Sequence, residues 1–227
     1  MLMTASLFFG TLFGLSAALF ATWGLSVGPP WSFLFFWISF SSFAGSSAYL
    51  LNLPMLFGKK NGSVGWLATV LTLPYLATMR GIWWGRRLIS KEAPYDEVAP
   101  NIFVGRRPLP TELPAHIELV VDLTCEFSEE SGVREGRTYL CVPTMDGSVP
   151  PDIESFRDVV QEAASHPGPL YIHCAYGHGR AALMAAAILI DRGIVASPTD
   201  AFALMRKTRK GIRPNGAQER WLRHVTD

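Results

Sequence analysis

The chain has 227 residues, of which 49% are hydrophobic and only 17% are charged, and its formal net charge is +1. This balance lacks the basic excess typical of nucleic-acid-binding proteins, and we expect no nucleic-acid partner. The average conceals two unlike halves, because residues 1–91 contain no Asp or Glu and all 19 acidic residues follow them.

The first half contains three apolar runs. Residues 5–27 and 31–57 carry no charged side chain, and 28–30, of sequence Gly-Pro-Pro, separates them as a turn. Crossing a bilayer takes about 20 apolar residues, so we expect both runs to span a membrane. The third run, 63–79, is shorter and contains a proline. We therefore predict an all-α transmembrane region over 1–91 with two to three helices, the third being a span or a re-entrant or interfacial segment.

Basic residues bear on the orientation of this multi-pass region. Two of them precede the third run and four follow it: Lys59 and Lys60, then Arg80, Arg86, Arg87 and Lys91. If all three runs span, the two groups lie on opposite sides of the membrane, so only one of them can obey the positive-inside rule. The larger group favours a cytoplasmic location for the second half of the chain. The second half contains three cysteines without close pairing in the sequence, an odd number that fits no disulfide framework. A working thiolate needs a reducing compartment, which agrees with the cytoplasmic side.

The second half alternates predicted strands and helices after a linker at 94–100. The strands are expected at 102–104, 117–123, 138–142 and 170–173, and the helices at 152–165, 180–191, 199–208 and 217–225. Pro143 is expected to end the third strand. This alternation predicts an α/β fold with a central mixed sheet flanked by helices and a functional loop at the carboxyl end of a strand.

Residues 173–180, of sequence His-Cys-Ala-Tyr-Gly-His-Gly-Arg, form the most informative segment. A loop between a strand and a helix N-terminus gathers backbone N–H groups that bind an anion. Cys174 lies within this loop, where a helix N-terminus and a nearby cation favour the reactive thiolate. Gly177 and Gly179 permit close approach of the backbone to phosphate oxygens, and Arg180 can bind two of them. The segment therefore indicates phosphate-ester chemistry.

Expulsion of an alkoxide or phenoxide from phosphorus requires a proton donor from another loop. Asp146 follows the third predicted strand and is the main candidate, first as acid and then as the base that activates water. An Asx-type turn beside Gly147 is its alternative explanation. Asp152 is the second candidate, although it equally suits the start of its helix. Asp122, at the end of a strand, is expected to be a structural hydrogen-bonding residue.

Residues 100–227 resemble the cysteine-dependent protein-tyrosine and dual-specificity phosphatase superfamily. The resemblance lies in the Cys-x5-Arg signature with its preceding His, and in 102–105, 120–124 and 212–215. It implies that 92–227 is a dual-specificity phosphatase-like catalytic domain without metal or cofactor. It also implies that Cys174 is the nucleophile, Arg180 the phosphate clamp, Asp146 the general acid and His173 a supporting residue. The loop residues implied to bind the substrate phosphate through N–H groups are Ala175, Tyr176, Gly177, His178 and Gly179, together with Arg180.

Two departures from the family pattern limit what the resemblance implies. Ala181 replaces the usual Ser or Thr whose hydroxyl helps the cysteine leave, which keeps a slowly turning over phosphate-binding module as an alternative. Ala175 and His178 stand where inositol-phospholipid phosphatases carry lysines. The expected function is a membrane-anchored phosphatase of phosphate monoesters, with phosphotyrosine or another phosphoprotein as default substrate and a phospholipid headgroup as alternative. Its partners would be that substrate and the lipid bilayer.

Overall fold

A computed structural model describes residues 5–226 of the chain. Residues 1–4 of the first predicted domain and residue 227 of the second lie outside the described residues. Two long apolar helices come first in the described chain. Helix α1 spans Ala5–Ser26 and α2 spans Trp31–Leu51, joined by the predicted turn. By length and composition, these are the two helices within 5–226 that are apolar enough to cross a membrane. The described residues form two compact units, 5–90 with 125–127 and 91–124 with 128–226.

Small residues join α1 to α2. The Ser46 hydroxyl donates to the Gly10 carbonyl at 2.7 Å, and the Ser39 hydroxyl donates to the Ala17 carbonyl at 2.7 Å. Glycine, alanine and serine allow two helix backbones to approach closely, and a hydroxyl that bonds to the neighbouring backbone leaves no polar group facing an apolar surrounding. The serine-rich sequence of α2 thus forms the contact face of a helical pair.

The third apolar run belongs to a longer helix, α3, which spans Trp66–Ile89 after a short 3-10 turn at Pro54–Phe57. Pro74 lies inside α3 and Thr72 has non-helical dihedral angles, so the helix is kinked there. The backbone N–H of Tyr75 donates to the Ser41 hydroxyl at 2.9 Å. Helix α2 therefore supplies a partner for a backbone group at the kink.

The second unit is built on a five-stranded sheet. Its strands are β1 Tyr95–Ala99, β2 Ile102–Arg106, β3 Leu119–Thr124, β4 Thr138–Thr144 and β5 Leu170–Cys174. Their order is β1-β2-β5-β3-β4, with β1 antiparallel to β2 and the remaining pairs parallel. Strand β5 is central and buried along its whole length, which places its carboxyl end in the middle of the sheet.

Five helices accompany this sheet: α4 Ser131–Arg134, α5 Ile153–Ser165, α6 Arg180–Asp191, α7 Pro198–Thr208 and α8 Gly216–Thr226. Helix α6 follows β5 and is buried from its first residue through Leu189, so it forms the main helical part of the core. The mixed sheet flanked by helices, after an all-helical N-terminal region, confirms the predicted fold class.

Two sequence predictions are wrong in detail. Segment 94–100 is not a linker, because strand β1 lies within it and pairs with β2. Its Asp96 and Glu97 lie on an edge strand that is only partly buried, which hides the alternation on which strand prediction depends. Pro143 does not end the third strand, since β4 continues to Thr144. An edge strand tolerates proline because one side of it has no ladder partner.

Candidate active site

The loop of residues 174–180 lies at the carboxyl end of β5 and at the start of α6. Cys174 is the last residue of β5 and Arg180 is the first of α6. Ligands of open α/β sheets bind outside the carboxyl ends of the strands, where helix N-termini also point. The predicted nucleophile and the predicted phosphate clamp therefore flank one loop at the centre of the sheet edge.

Gly177 shapes this loop. Its φ is +75°, and a Cβ atom added there would lie 2.3 Å from the carbonyl carbon of Gly105. Both features exclude a side chain at this position. The Gly177 N–H donates to the Sγ atom of Cys174 at 3.2 Å, so the loop curls around the sulfur.

The carbonyl groups of four successive loop residues are bound from outside the loop. Ala175 O accepts from Arg107 N at 3.4 Å, Tyr176 O from Arg209 Nη2 at 3.2 Å, Gly177 O from Arg209 Nε at 3.0 Å, and His178 O from Arg213 N at 3.0 Å. In a planar trans peptide the C=O and the following N–H point in opposite directions. The amides of residues 176–179 consequently point away from these outer partners and toward the inside of the loop.

Arg180 is buried and contacts the predicted general acid. Its Nη1 donates to the Thr144 carbonyl at 2.7 Å and to the Leu123 carbonyl at 3.4 Å. Its Nη2 lies 3.2 Å from Oδ1 of Asp146, whose side chain is 30% exposed. The structure thus brings the predicted clamp and the predicted acid together, while the carboxylate of Asp146 keeps access to solvent.

The turn that carries Asp146 is held by two residues that the sequence analysis did not assign to the site. Asn215 Nδ2 donates to the Gly147 carbonyl at 2.7 Å, and Gln218 Nε2 donates to the Ser148 carbonyl at 2.8 Å. Asn215 Oδ1 also accepts from the Gln218 N–H, and Gln218 Oε1 accepts from the Asn215 N–H, both at 3.0 Å. This reciprocal pair is a capping box, and its Asn-x-x-Gln spacing was a signal available in the sequence.

Asp152 and Asp122, the other two aspartates considered in the sequence, make hydrogen bonds within the fold. Asp152 caps α5, since its Oδ1 accepts from the Glu154 N–H at 3.1 Å. Asp122 accepts from the N–H and the hydroxyl of Thr124 at 2.7 and 2.8 Å and from the hydroxyl of Tyr139. Burial, and then the negative charge of Asp122, raise the pKa of Tyr139 far above its usual value. Asp122 is therefore a structural residue, as predicted.

His173 lies in a buried cluster with acidic residues, next to the predicted nucleophile Cys174. Its Nδ1 is 3.8 Å from Asp122 Oδ1 and its Nε2 is 3.5 Å from Glu129 Oε2. One ligand atom from each of these three residues lies within 4.8 Å of the others, a spacing that could hold a metal ion. Arg107 Nη2 is 3.1 Å from Glu129 Oε1 and supplies positive charge. We interpret the cluster as a charge network beneath the end of β5.

Residues 109–227 match the family model described as the dual specificity phosphatase catalytic domain. Among solved structures, PTPMT1 in complex with PI(5)P is 23% identical, with a TM-score of 0.52 over 59% of this chain and 94% of that one. Tk-PTP in the active form is 22% identical, with a TM-score of 0.51 over 59% and 96%. The human tyrosine phosphatase-like serine/threonine/tyrosine-interacting protein is 19% identical, with a TM-score of 0.50 over 59% and 95%. At these identities the likeness is one of fold.

Proposed function

Because the chain belongs to the dual specificity phosphatase family, it is a cysteine-dependent phosphatase, and we propose that Cys174, Arg180 and Asp146 perform its chemistry. The observation that carries this assignment is the loop itself. Its amides point inward around the sulfur of Cys174, and its terminal arginine contacts the carboxylate of Asp146. A dianionic phosphate fits this arrangement of donors.

In the first step, the amides of 176–179 and the guanidinium of Arg180 bind the non-bridging oxygens of a phosphate monoester. The thiolate of Cys174 attacks phosphorus, the bond from phosphorus to the ester oxygen breaks, and Asp146 donates a proton to the departing oxygen. The products are an alcohol or phenol and a phospho-cysteine. Because the amides and the guanidinium are already in place, they stabilise the negative charge of the transition state and lower the barrier to phosphoryl transfer.

In the second step, the Asp146 carboxylate accepts a proton from water as the water oxygen attacks phosphorus. The P–S bond breaks, which releases inorganic phosphate and restores the thiolate of Cys174. Ala181 is fully buried and has no hydroxyl to assist the departing sulfur. We therefore propose that this step is slow, so the phospho-cysteine accumulates.

The N-terminal helices make this phosphatase a membrane-anchored one in our proposal. Helices α1 and α2 cross the bilayer, and the boundary between the transmembrane region and the catalytic domain lies at residues 91 and 92. Support comes from the length and apolar composition of both helices. The basic residues that follow them favour a cytoplasmic catalytic domain, where a thiolate stays reduced.

We propose a phosphotyrosine or other phosphoprotein as the first substrate class. A phosphorylated lipid headgroup is the second candidate, because only residues 90–94 connect α3 to β1, and a membrane anchor so close in sequence raises the local concentration of headgroups. The similar structure of PTPMT1 was determined with PI(5)P, which supports testing this lipid class.

The experiment compares full-length wild type with Cys174→Ser in lipid nanodiscs. Inorganic phosphate release is measured from phosphotyrosine peptides and from vesicles that contain a phosphorylated inositol lipid. Multiple turnovers that require Cys174 support the phosphatase, and the faster substrate identifies its class. Capture of one phosphate per enzyme on the protein, without release of inorganic phosphate, would instead support the phosphate-binding alternative. Equal release by Cys174→Ser would contradict the proposed chemistry.

A further inference from the structure

Arg209 is a buried residue outside the signature segment that contacts the phosphate-binding loop directly. It follows the last residue of α7 and is only 3% exposed. Its Nε donates to the Gly177 carbonyl at 3.0 Å and its Nη2 to the Tyr176 carbonyl at 3.2 Å. Two of the four outward carbonyls of the loop therefore depend on one guanidinium group.

The two bound carbonyls determine where two amides point. Holding the Tyr176 carbonyl outward directs the Gly177 N–H inward, where it donates to Cys174 Sγ at 3.2 Å. Holding the Gly177 carbonyl outward directs the His178 N–H inward in the same way. These are the central amides of the loop. A buried carbonyl that lost this partner would be left unsatisfied, and rotation of the peptide toward another donor would turn the amide away from the site.

The other end of the Arg209 guanidinium is bound to the start of the catalytic domain. Nη1 lies 2.8 Å from Asp96 Oδ2 and 3.3 Å from the Ala93 carbonyl. The carboxylate balances the buried charge, and the planar fork of donors is held in one orientation between the two sets of acceptors. Nearby in sequence, Glu92 Oε2 lies 2.6 Å from Nε2 of the loop residue His178. Segment 92–96 thus supports the loop at two points.

We propose that Arg209 is a positioning residue for the reaction: it keeps the amides of Gly177 and His178 directed at the phosphate and so sets the affinity of the loop for oxyanions. The inference rests on the proposed function of this loop as the phosphate site. It assigns no contact between Arg209 and the substrate, because the guanidinium binds the outer face of the loop.

Arg192 provides a matched control within the same domain. Its guanidinium also binds several backbone carbonyls, with Nε 3.0 Å from Ala164 O and Nη2 3.1 and 2.8 Å from Ala163 O and His166 O. These carbonyls belong to the end of α5, not to the phosphate-binding loop. Arg192→Met therefore removes a similar set of hydrogen bonds without touching the loop amides.

The test uses the full-length chain in nanodiscs and measures the inhibition constant of vanadate, kcat and KM for p-nitrophenyl phosphate, and the unfolding temperature. We expect Arg209→Met to weaken vanadate binding at least ~30-fold and to lower kcat/KM ~100-fold, as for the loss of an oxyanion donor. Arg192→Met should lower the unfolding temperature while both functional constants stay within ~2-fold of wild type. Arg209→Lys keeps the charge beside Asp96 but reaches one carbonyl at most, so vanadate binding should weaken by roughly 10-fold.

An Arg209→Met protein that is destabilised like Arg192→Met but binds vanadate like wild type would overturn the proposal. Should Arg209→Met not fold, Arg209→Lys decides the matter, and an unchanged vanadate constant in that folded variant overturns the proposal equally. Failure of the proposed function looks different: wild type itself would then show no vanadate-sensitive hydrolysis that depends on Cys174.

Discussion

The contact between Asp146 and Arg180 is the residue-scale feature with the clearest chemical consequence. The Asp146 carboxylate lies 3.2 Å from the guanidinium that we expect to bind phosphate. A phosphate bound by Arg180 would therefore lie close to the group that we propose as its proton donor.

Asp146→Asn removes that proton donor. We expect kcat/KM for phenyl phosphate to fall by roughly 10²–10⁴, because a poor leaving group needs the proton, and to fall much less for p-nitrophenyl phosphate. The measurement is kcat/KM across a series of aryl phosphates, because this constant reports the first step even where the second step limits kcat. Asp152→Asn is the control, since Asp152 caps α5 and its replacement should show no dependence on the leaving group. A uniform loss across the series in Asp146→Asn would contradict the acid role.

Tyr139 and Tyr171 make stability depend on alkaline pH. Burial raises the pKa of both phenols well above the usual 10, and the charge of Asp122 adds to the effect at Tyr139. Above pH ~10 the unfolded chain loses phenolic protons that the folded chain keeps, so the free energy of unfolding should fall by up to ~1.4 kcal/mol per pH unit for each tyrosine. Below pH 10 this contribution is fully present.

Urea unfolding of the catalytic domain at pH 9, 10 and 11 measures this slope. Tyr139→Phe is less stable at pH 9, because it loses the hydrogen bond to Asp122, but its stability should fall less steeply between pH 10 and 11. Identical slopes for wild type and Tyr139→Phe would show that Tyr139 ionises normally in the folded protein.

The loop between β5 and α6 is the element on which the site depends, and glycine is required there for two separate reasons. The positive φ of Gly177 and the proximity of the Gly105 carbonyl carbon both disfavour a Cβ atom. We expect Gly177→Ala to destabilise the domain by about 2–4 kcal/mol and to abolish most activity, since the strain of a positive φ adds to overpacking.

Gly193→Ala separates these two causes. Gly193 also has a positive φ, +65°, but a Cβ there would meet nothing within 4 Å. Its replacement should therefore cost only about 1 kcal/mol and leave activity unchanged. Thermal unfolding and p-nitrophenyl phosphate turnover of both variants make the comparison. Equal losses of stability in Gly177→Ala and Gly193→Ala would mean that the close approach of Gly177 to Gly105 does not add to the cost of the substitution.

Elements with a strong local pattern were predictable, and elements defined by distant contacts were not. Helix α6 has the predicted bounds because a long apolar run begins right after the glycines and ends before Gly193. Strand β1 was missed because an edge strand shows little alternation. Arg209 was missed because its acceptors lie 32 to 116 residues away in the sequence, and no local spacing indicates them. The sequence motif therefore identified the loop but not what supports it.

The whole molecule combines an apolar helical region with a catalytic domain of a known enzyme family. We expect the protein of residues 1–227 to stay in the membrane pellet after alkaline carbonate extraction, because in our proposal α1 and α2 cross the bilayer and bury their apolar side chains in lipid. A fragment of residues 92–227 should appear in the supernatant. Release of the full-length chain by carbonate would contradict the proposal that these helices span the bilayer.

Trapping the phospho-cysteine at residue 174 is the decisive test of the proposed catalysis. Wild type is mixed with excess p-nitrophenyl phosphate, quenched in acid within milliseconds, and digested for mass spectrometry. We predict a burst of p-nitrophenol close to one equivalent, followed by slower turnover, and one phosphate attached to the peptide that contains Cys174, because Ala181 gives the second step no hydroxyl. The same label should be absent from Cys174→Ser. Steady hydrolysis without a burst, with no phosphate on Cys174 and undiminished in Cys174→Ser, would contradict the account.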